Sequence, residues 1–379
     1  MIKNMLKVSG YDDIPENEKV NIIAIMLEAY NDFNKFSGIH FINNPYNEWL
    51  ELKDNAYSGE IVTNIFAGGT MDTERSFLTG YKNLPNFRRK TLSYVNFFNE
   101  QGYTTEGVHP YYNWYYNRKN VNFNLGFENY YFYEDTFYNQ KIYLEAGDGL
   151  MPVISDMDFF SKIIDLYEKN KYTNKPYFNF SVSLEMHGAY PTTICPPKVY
   201  LPNDGYSESI YNMCNYYFQK VENTNYAISK FVNYFEKENE PTIILFFGDH
   251  NPYLGENNAG YDMLGINLDT NTKEGFYNYY SVPYLIWGNK SAKEMLNKTL
   301  IGNGPTISSC FLMNELFSVL GLKGNEYLNA TTRIYEKIQV IKPPFYMKDG
   351  EIVCNLKDED LKLINMLEQL QYNQIYETN

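Results

Sequence analysis

Several apolar, β-branched-rich runs of this sequence stop at residues that can hold protons or metals. Asn21–Leu27 (NIIAIML) stops at Glu28. Pro176–Leu184 (PYFNFSVSL) leads into Glu185-Met186-His187-Gly188, and Thr242–Phe247 (TIILFF) into Gly248-Asp249-His250. Runs of this kind read as buried strands of a parallel sheet, and open α/β sheets bind ligands at the carboxyl ends of their strands. Two carboxylates and an imidazole at one sheet edge are a workable set for a divalent metal. Thr70 follows Gly68-Gly69 where a loop enters a helix, and backbone N–H groups at such a start favour a phosphate. A threonine hydroxyl is a poor nucleophile at neutral pH, and a metal can lower its pKa. A free imidazole and an arginine would complete a phosphoryl-transfer site, because the guanidinium matches phosphate geometry.

Each of these residues also has a plainer use. A threonine after two glycines is a common N-cap, Glu28 can close a strand edge, and His187 can be a hydrogen-bonded structural histidine. Arg118, set among tyrosines, can stack on rings. Asp72 and Glu74 read as first-turn helix acids, not ligands, and Arg88-Arg89-Lys90 as a solvated helix start. The tyrosine-rich belt Tyr111–Tyr133 reads as core and surface filler, or as the wall of a polar-alcohol or sugar groove. What favours chemistry for Glu28, Thr70, Asp249 and His250 is the company they keep at strand ends.

The elements that must position these groups alternate along the chain. Helices are expected over 71–79 (closed by Gly80), 88–102, 161–170, 211–237 and 307–320 (closed by Gly321). Further strands are expected over 103–108 and 282–287. Alternation of this kind implies βαβ units and an α/β fold with a mainly parallel central sheet. The tail reads differently. Ile338–Asn355 holds an Asp349-Gly350 turn between two β-like runs, a hairpin signal, and a polar helix follows from about Asp358. The division expected is a polar segment 1–20, a catalytic domain 21–335 and a small C-terminal α+β subdomain 336–379.

Composition sets the limits. The chain has 379 residues, 44% hydrophobic and 21% charged, which supports a sizeable core and excludes global disorder. The net charge of -14 argues against a nucleic-acid binder, and an anionic substrate would need a local cation to overcome that field. Cys195, Cys214, Cys310 and Cys354 form no CxxC pair, so thiolate zinc sites and a dense disulfide framework are not expected. No apolar run approaches the roughly 20 residues of a membrane helix, and MIKNMLKVSGYDD has no apolar signal core. The chain is therefore expected to be soluble and without an export signal.

In order along the chain, NIIAIMLEAY (21–30), GGTMDTERSFLTG (68–80), HPYYNWYYNR (109–118), SLEMHGAY (183–190) and FFGDHNPYLG (246–255) resemble the motifs of the lipoteichoic acid synthase and phosphoglycerol transferase group. That group belongs to the alkaline phosphatase and sulfatase superfamily. ISSCFLMNELFSVLGL (307–322) and LEQLQYNQIY (367–376) are similar to it as well. The resemblance implies an alkaline-phosphatase/sulfatase-like fold. It implies one divalent metal, manganese first and magnesium or zinc next, on Glu28, Thr70, Asp249 and His250. Thr70 would be the nucleophile of a phosphothreonine-type intermediate, and His187 would lie beside the leaving or attacking oxygen. His109 and Arg118 would contact the glycerol phosphate. The group often has a tryptophan two residues before that arginine; here Tyr116 stands in its place and Trp114 lies nearby, so both are candidate substrate contacts.

The activity implied moves glycerol phosphate from a phosphatidylglycerol-like lipid to a glycerol-phosphate chain, glycolipid or surface polysaccharide, outside a bacterial membrane, on a domain excised or processed from its anchor. A phosphodiesterase or phosphatase would use the same residues with water as acceptor. Phosphoethanolamine transfer is a weaker relative, and a catalytically silent glycan-binding module is a different class. Cys195-Pro196-Pro197-Lys198 resembles a sulfatase signature only faintly. It lacks the final arginine and does not stand in the nucleophile's place.

Overall fold

A computed structural model describes residues 13–139, 143–146 and 149–376. Residues 1–12 of the expected polar segment and 377–379 of the expected subdomain lie outside the described residues. The strands are β1 Asn21–Leu27, β2 Tyr57–Val62, β3 Thr104–Val108, β4 Asn129–Tyr131, β5 Tyr143–Ala146, β6 Gly149–Pro152, β7 Tyr177–Val182, β8 Thr242–Gly248, β9 Ser281–Gly288 and β10 Gly302–Ser308; the short β11 Ile338–Val340, β12 Tyr346–Lys348 and β13 Glu351–Val353 follow. Eight of them form one sheet in the order β10-β2-β9-β8-β1-β7-β3-β4. Its pairs are parallel except around β9, which runs antiparallel to β8 and β2. The expected α/β class with a mostly parallel sheet is the architecture found.

β1 lies at the centre and is buried along its whole length, which explains its unbroken apolar run. Side chains alternate between the two faces. Ile22, Ala24 and Met26 join Phe180, Phe247, Phe77 and Phe98 on one face. Ile23, Ile25 and Leu27 join Phe246, Phe160, Phe218 and Phe231 on the other. Each of the larger side chains among these, fully buried, stabilises the fold by about 1.5–3 kcal/mol. Helices Met71–Thr79 and Tyr94–Glu100 cover the first face, and Asp156–Lys171 and Glu208–Phe235 the second.

Several expected boundaries move. The helix expected from Arg88 begins only at Tyr94. Ser93 Oγ accepts from the Val95 and Asn96 backbone N–H groups (3.1 and 3.3 Å), and the Asn96 side chain accepts from Ser93 N, a capping box that sets the start. Arg88, Arg89 and Lys90 are exposed loop residues, not a helix start. The helix expected from Ile307 begins at Leu312, because Ile307 and Ser308 pair with Ile61 and Val62 as the end of β10. The helix expected from Ser161 begins at Asp156, where Ser155 accepts from Asp158 N at 3.1 Å. Strands β2 (YSGEIV) and β10 (GNGPTIS) carry glycine and polar residues and no continuous apolar run.

In the tail, β12 and β13 form the hairpin expected around Asp349-Gly350, extended by β11. The polar helix Asp358–Tyr376 sets Ile364, Leu367 and Leu370 into the same apolar cluster as the main sheet. No helix among the described residues is long and apolar enough to cross a membrane.

Candidate metal centre and anion pocket

Register builds the centre. Leu27 of β1 stands opposite Gly248 of β8, so the next residues, Glu28 and Asp249, leave the sheet side by side. Gly248 is required there, since a Cβ would lie 2.2 Å from the Tyr30 carbonyl oxygen. Ala29 turns the chain in the left-handed region (φ 48), and its N–H donates to Asp249 Oδ1 at 2.7 Å. The His250 N–H donates to the same oxygen at 2.7 Å. Asp249 Oδ1 is thus satisfied, while the buried Oδ2 has no protein partner.

His250 completes the group. Its Nδ1 faces the Asn251 carbonyl oxygen at 2.9 Å and so carries the proton, which leaves the buried Nε2 without a donor or acceptor. Nε2 lies 3.2 Å from Asp249 Oδ2 and 3.7 Å from Glu28 Oε1. Lone pairs this close in a buried site need a cation between them, a proton or a metal. Burial first, then Glu28, pushes the Asp249 carboxyl up to about 7. Burial works against a charged His250, but Asp249 and Glu28 outweigh it and hold the imidazole above its ordinary value. Ligand atoms of Glu28, Asp249 and His250 all lie within 4.8 Å of one another. Two carboxylates, one imidazole and two orphaned buried atoms fit a divalent ion.

Thr70 adjoins this group. Its hydroxyl makes no capping bond to its helix and instead donates to Glu28 Oε2 at 3.2 Å. The N-cap reading therefore gives way to a hydroxyl turned toward the carboxylates. Thr73 Oγ1 donates to the Asp249 carbonyl at 2.7 Å and ties the Thr70 helix to the β8 loop. Ser183 Oγ accepts from Glu28 N at 3.1 Å and ties in the β7 loop.

A small pocket, open to solvent, is lined by Glu28, Thr70, His109, Tyr111, Tyr115, Tyr116, Arg118, Leu184 and His187. Arg118 is buried in its wall. Nε and Nη2 reach Glu74 Oε2 at 3.0 and 2.9 Å, Nη1 faces His109 Nε2 at 2.9 Å, and the Tyr116 ring stacks at 5.2 Å. Burial opposes the Arg118 charge and Glu74 more than offsets it, so the guanidinium stays cationic. Burial, then Arg118, holds the His109 imidazole well below its ordinary value. Nδ1 of the neutral ring donates to Val182 O at 2.9 Å. Both His109 nitrogens are bonded, while the ring still lines the pocket. His187 Nδ1 faces the Gly188 carbonyl, and the residue lines the pocket.

The fold thus brings Glu28, Thr70, Asp249, His250, His187, His109, Arg118 and Tyr116 together. Trp114 is exposed and not among the lining residues, though its ring meets that of Tyr115, which is. Cys195 is exposed and free, also outside the lining. Glu74 was read as a helix acid only. It does sit in the first turn, but buried against Arg118. One signal was available: Glu74 follows Thr70 by four residues and so shares its helix face. Ser183 and Thr73 carried no such signal.

A family model described as Sulfatase matches residues 20–322. The chain belongs to the sulfatase family. Among individual proteins, it is 25% identical over 336 residues to a Rhizobium meliloti (strain 1021) protein named for cyclic beta-1,2-glucan modification, covering 85% of this chain and 49% of that one. It is 25% identical over 375 residues to a lipoteichoic acid synthase of Staphylococcus saprophyticus, covering 92% and 51%. The chain spans about half the length of these relatives. The fold is similar to that of Streptococcus pyogenes phosphoglycerol transferase GacH in complex with sn-glycerol-1-phosphate (TM-score 0.71, 19% identity, 99% of this chain and 90% of that chain). The fold is also similar to that of a Vibrio parahaemolyticus protein described as a member of the alkaline phosphatase superfamily (TM-score 0.65, 13% identity, 99% of this chain and 95% of that chain).

Proposed function

We propose that this chain is the catalytic domain of a metal-dependent phosphoglycerol transferase. It takes glycerol phosphate from a phosphatidylglycerol-like lipid and passes it to a cell-surface polymer, glycolipid or polysaccharide, on the outer face of a bacterial membrane. The observation that carries this reading is the Thr70 hydroxyl, aimed at Glu28 beside two orphaned ligand atoms, with a buried cationic Arg118 in the same pocket. The names of two similar proteins support the substrate class, one a lipoteichoic acid synthase and one a phosphoglycerol transferase.

Glu28, Asp249 and His250, with Thr70, would hold one divalent ion; manganese, with magnesium or zinc next, is the choice that the family resemblance implies. When bound, the ion supplies Lewis-acid polarisation of the phosphoryl oxygens and lowers the pKa of an adjacent hydroxyl. Glu28 Oε2 already accepts the Thr70 proton and is placed to hold it while Oγ1 bonds to phosphorus. The bond from phosphorus to the diacylglycerol oxygen breaks, and His187 protonates that oxygen. Arg118 donates to the non-bridging oxygens by its edges not taken by Glu74 and His109. Tyr116 backs it with its ring.

The test is intact-protein mass spectrometry after incubation with phosphatidylglycerol and Mn2+. A glycerol-phosphate adduct on Thr70, absent in Thr70→Ala, is expected, with product appearing only when an acceptor is added. Release of free glycerol phosphate at the same rate with and without acceptor would make the enzyme a phosphodiesterase.

A further inference from the structure

The rings from Tyr111 to Tyr116 extend beyond the anion pocket. Tyr111, Tyr115 and Tyr116 line it. From there the rings run outwards. Tyr111 lies edge-on to Tyr115 at 5.1 Å and to Tyr112 at 5.2 Å. Trp114 meets Tyr115 at 5.9 Å and lies nearly parallel to Tyr112, 6.0 Å away at 15°. Trp114 is 65% exposed, whereas Trp49 and Trp287 are 1% and 3% exposed.

The backbone under these rings is held. Tyr116 and Asn117 both occupy the left-handed region (φ 53 and 56), a strained pair that surrounding bonds must enforce. Arg75 Nη2 donates to Tyr116 O at 2.7 Å, Lys119 N to Asn113 O at 3.1 Å, and Asn113 N to Glu134 at 3.3 Å. What marks this ring out is its continuity with Tyr112 and with Tyr115 of the pocket lining, on a loop braced by hydrogen bonds.

Charge selects the occupant. Arg118 is the one cation among the pocket-lining residues, and Glu74 already shares it. The charged residues bonded to the ring-bearing loop are of both signs: Arg75, itself buried, Lys119, held through its backbone N–H, and Glu134. A polyanionic chain would meet charges of both signs here and would enter the field of a protein of net charge -14. A pyranose is neutral. Its C–H face, slightly positive, matches the negative face of an aromatic ring, and its hydroxyls can bond the phenols.

We propose that Tyr111, Tyr112, Trp114 and Tyr115 form an acceptor subsite for a neutral hexopyranose unit. Trp114 is the platform, Tyr112 buttresses it, and a sugar hydroxyl is delivered toward Thr70. The assignment rests on the transferase reading above and names its acceptor. In the transfer step the sugar oxygen bonds to phosphorus and the bond from phosphorus to Thr70 Oγ1 breaks. The hydroxyl proton passes to His187, and the proton held by Glu28 returns to Oγ1, so the threonine is regenerated.

Trp114 provides a readout independent of turnover, since the other tryptophans are buried. Intrinsic fluorescence is titrated with neutral linear hexamers of glucose, galactose, mannose and rhamnose, and separately with oligo(glycerol phosphate) of equal length. At least one neutral hexamer is expected to give a saturable blue shift, with Kd about tenfold higher in Tyr112→Ala, the size of one lost aromatic contact. Calorimetry with Trp114→Ala should show a comparable loss, with far-UV circular dichroism unchanged. No saturable shift with any neutral hexamer, or tighter binding of the glycerol-phosphate oligomer, overturns the proposal. If the Thr70 adduct fails while sugar binding holds, the transferase reading falls and the subsite stands.

Discussion

Glu74 engages the Nε and Nη2 edge of Arg118 and His109 takes Nη1, so the guanidinium reaches the pocket with its direction already set. Glu74→Gln would leave that buried cation without its counter-charge. We expect a stability loss of about 3–5 kcal/mol by urea unfolding, with weaker donor affinity in steady-state kinetics. Arg118→Lys should retain only part of the affinity, because a lysine is a point charge without the fork. An unchanged unfolding midpoint in Glu74→Gln would show that the pair is not structural. At Thr70 the expected pattern differs. Thr70→Ala should cut turnover by at least ~10³-fold while the melting temperature stays within a few degrees, because the lost hydroxyl makes a single bond to Glu28. Turnover at a tenth of the normal rate would instead indicate direct displacement by the acceptor.

The loops that follow β1, β7 and β8 are tied to one another at the level of elements. Asp249 accepts from Ala29, Glu28 donates to Ser183, and Thr73 donates to Asp249. Gly248 sits at the tightest point of that assembly. In Gly248→Ala the added carbon would collide with the Tyr30 carbonyl and push the β1 loop away. The expected outcome is about 1–3 kcal/mol of destabilisation together with weaker binding of Mn2+, read by denaturant midpoint and metal titration. A midpoint shift with unaltered metal affinity would separate the strand contact from the site.

For the molecule as a whole, the centre couples metal, proton and stability. Asp249 is raised to about 7 by burial and by Glu28, and His250 is raised by Asp249 and Glu28 against burial. Both therefore bind protons in the metal-free folded state that the unfolded chain has already released. Stability of that state should fall as pH rises through about 7. Metal binding expels the same protons, so metal affinity should climb over that window. Chelator-treated protein should thus melt lower at pH 8 than at pH 6. Mn2+ at 100 times its Kd should restore about 2.7 kcal/mol. Calorimetric scans at the two pH values check this. A metal-free melting temperature that rises with pH would contradict the shared-proton picture.

Much of this was legible in the linear sequence, for a physical reason. A strand buried on both faces must be apolar throughout, so β1, β7 and β8 announced themselves and marked Glu28, His187, Asp249 and His250 at their ends. What remained hidden is what depends on non-local pairing. β2 and β10 carry glycine and polar residues because they lie toward one edge of the sheet, where most of their residues are only partly covered, and their pairing is what makes them strands. The start of the helix at Tyr94 followed from a capping box that outweighed helical spacing upstream. Glu74 looked like any first-turn acid, and only packing brought Arg118 against it from a helix 44 residues away. The same packing occupied both nitrogens of His109 and left Trp114 outside the pocket. Residue type determined which groups were able to do chemistry. The tertiary structure decided which of them face a ligand and which hold the others still, because hydrogen bonding and desolvation are settled by neighbours remote in the chain.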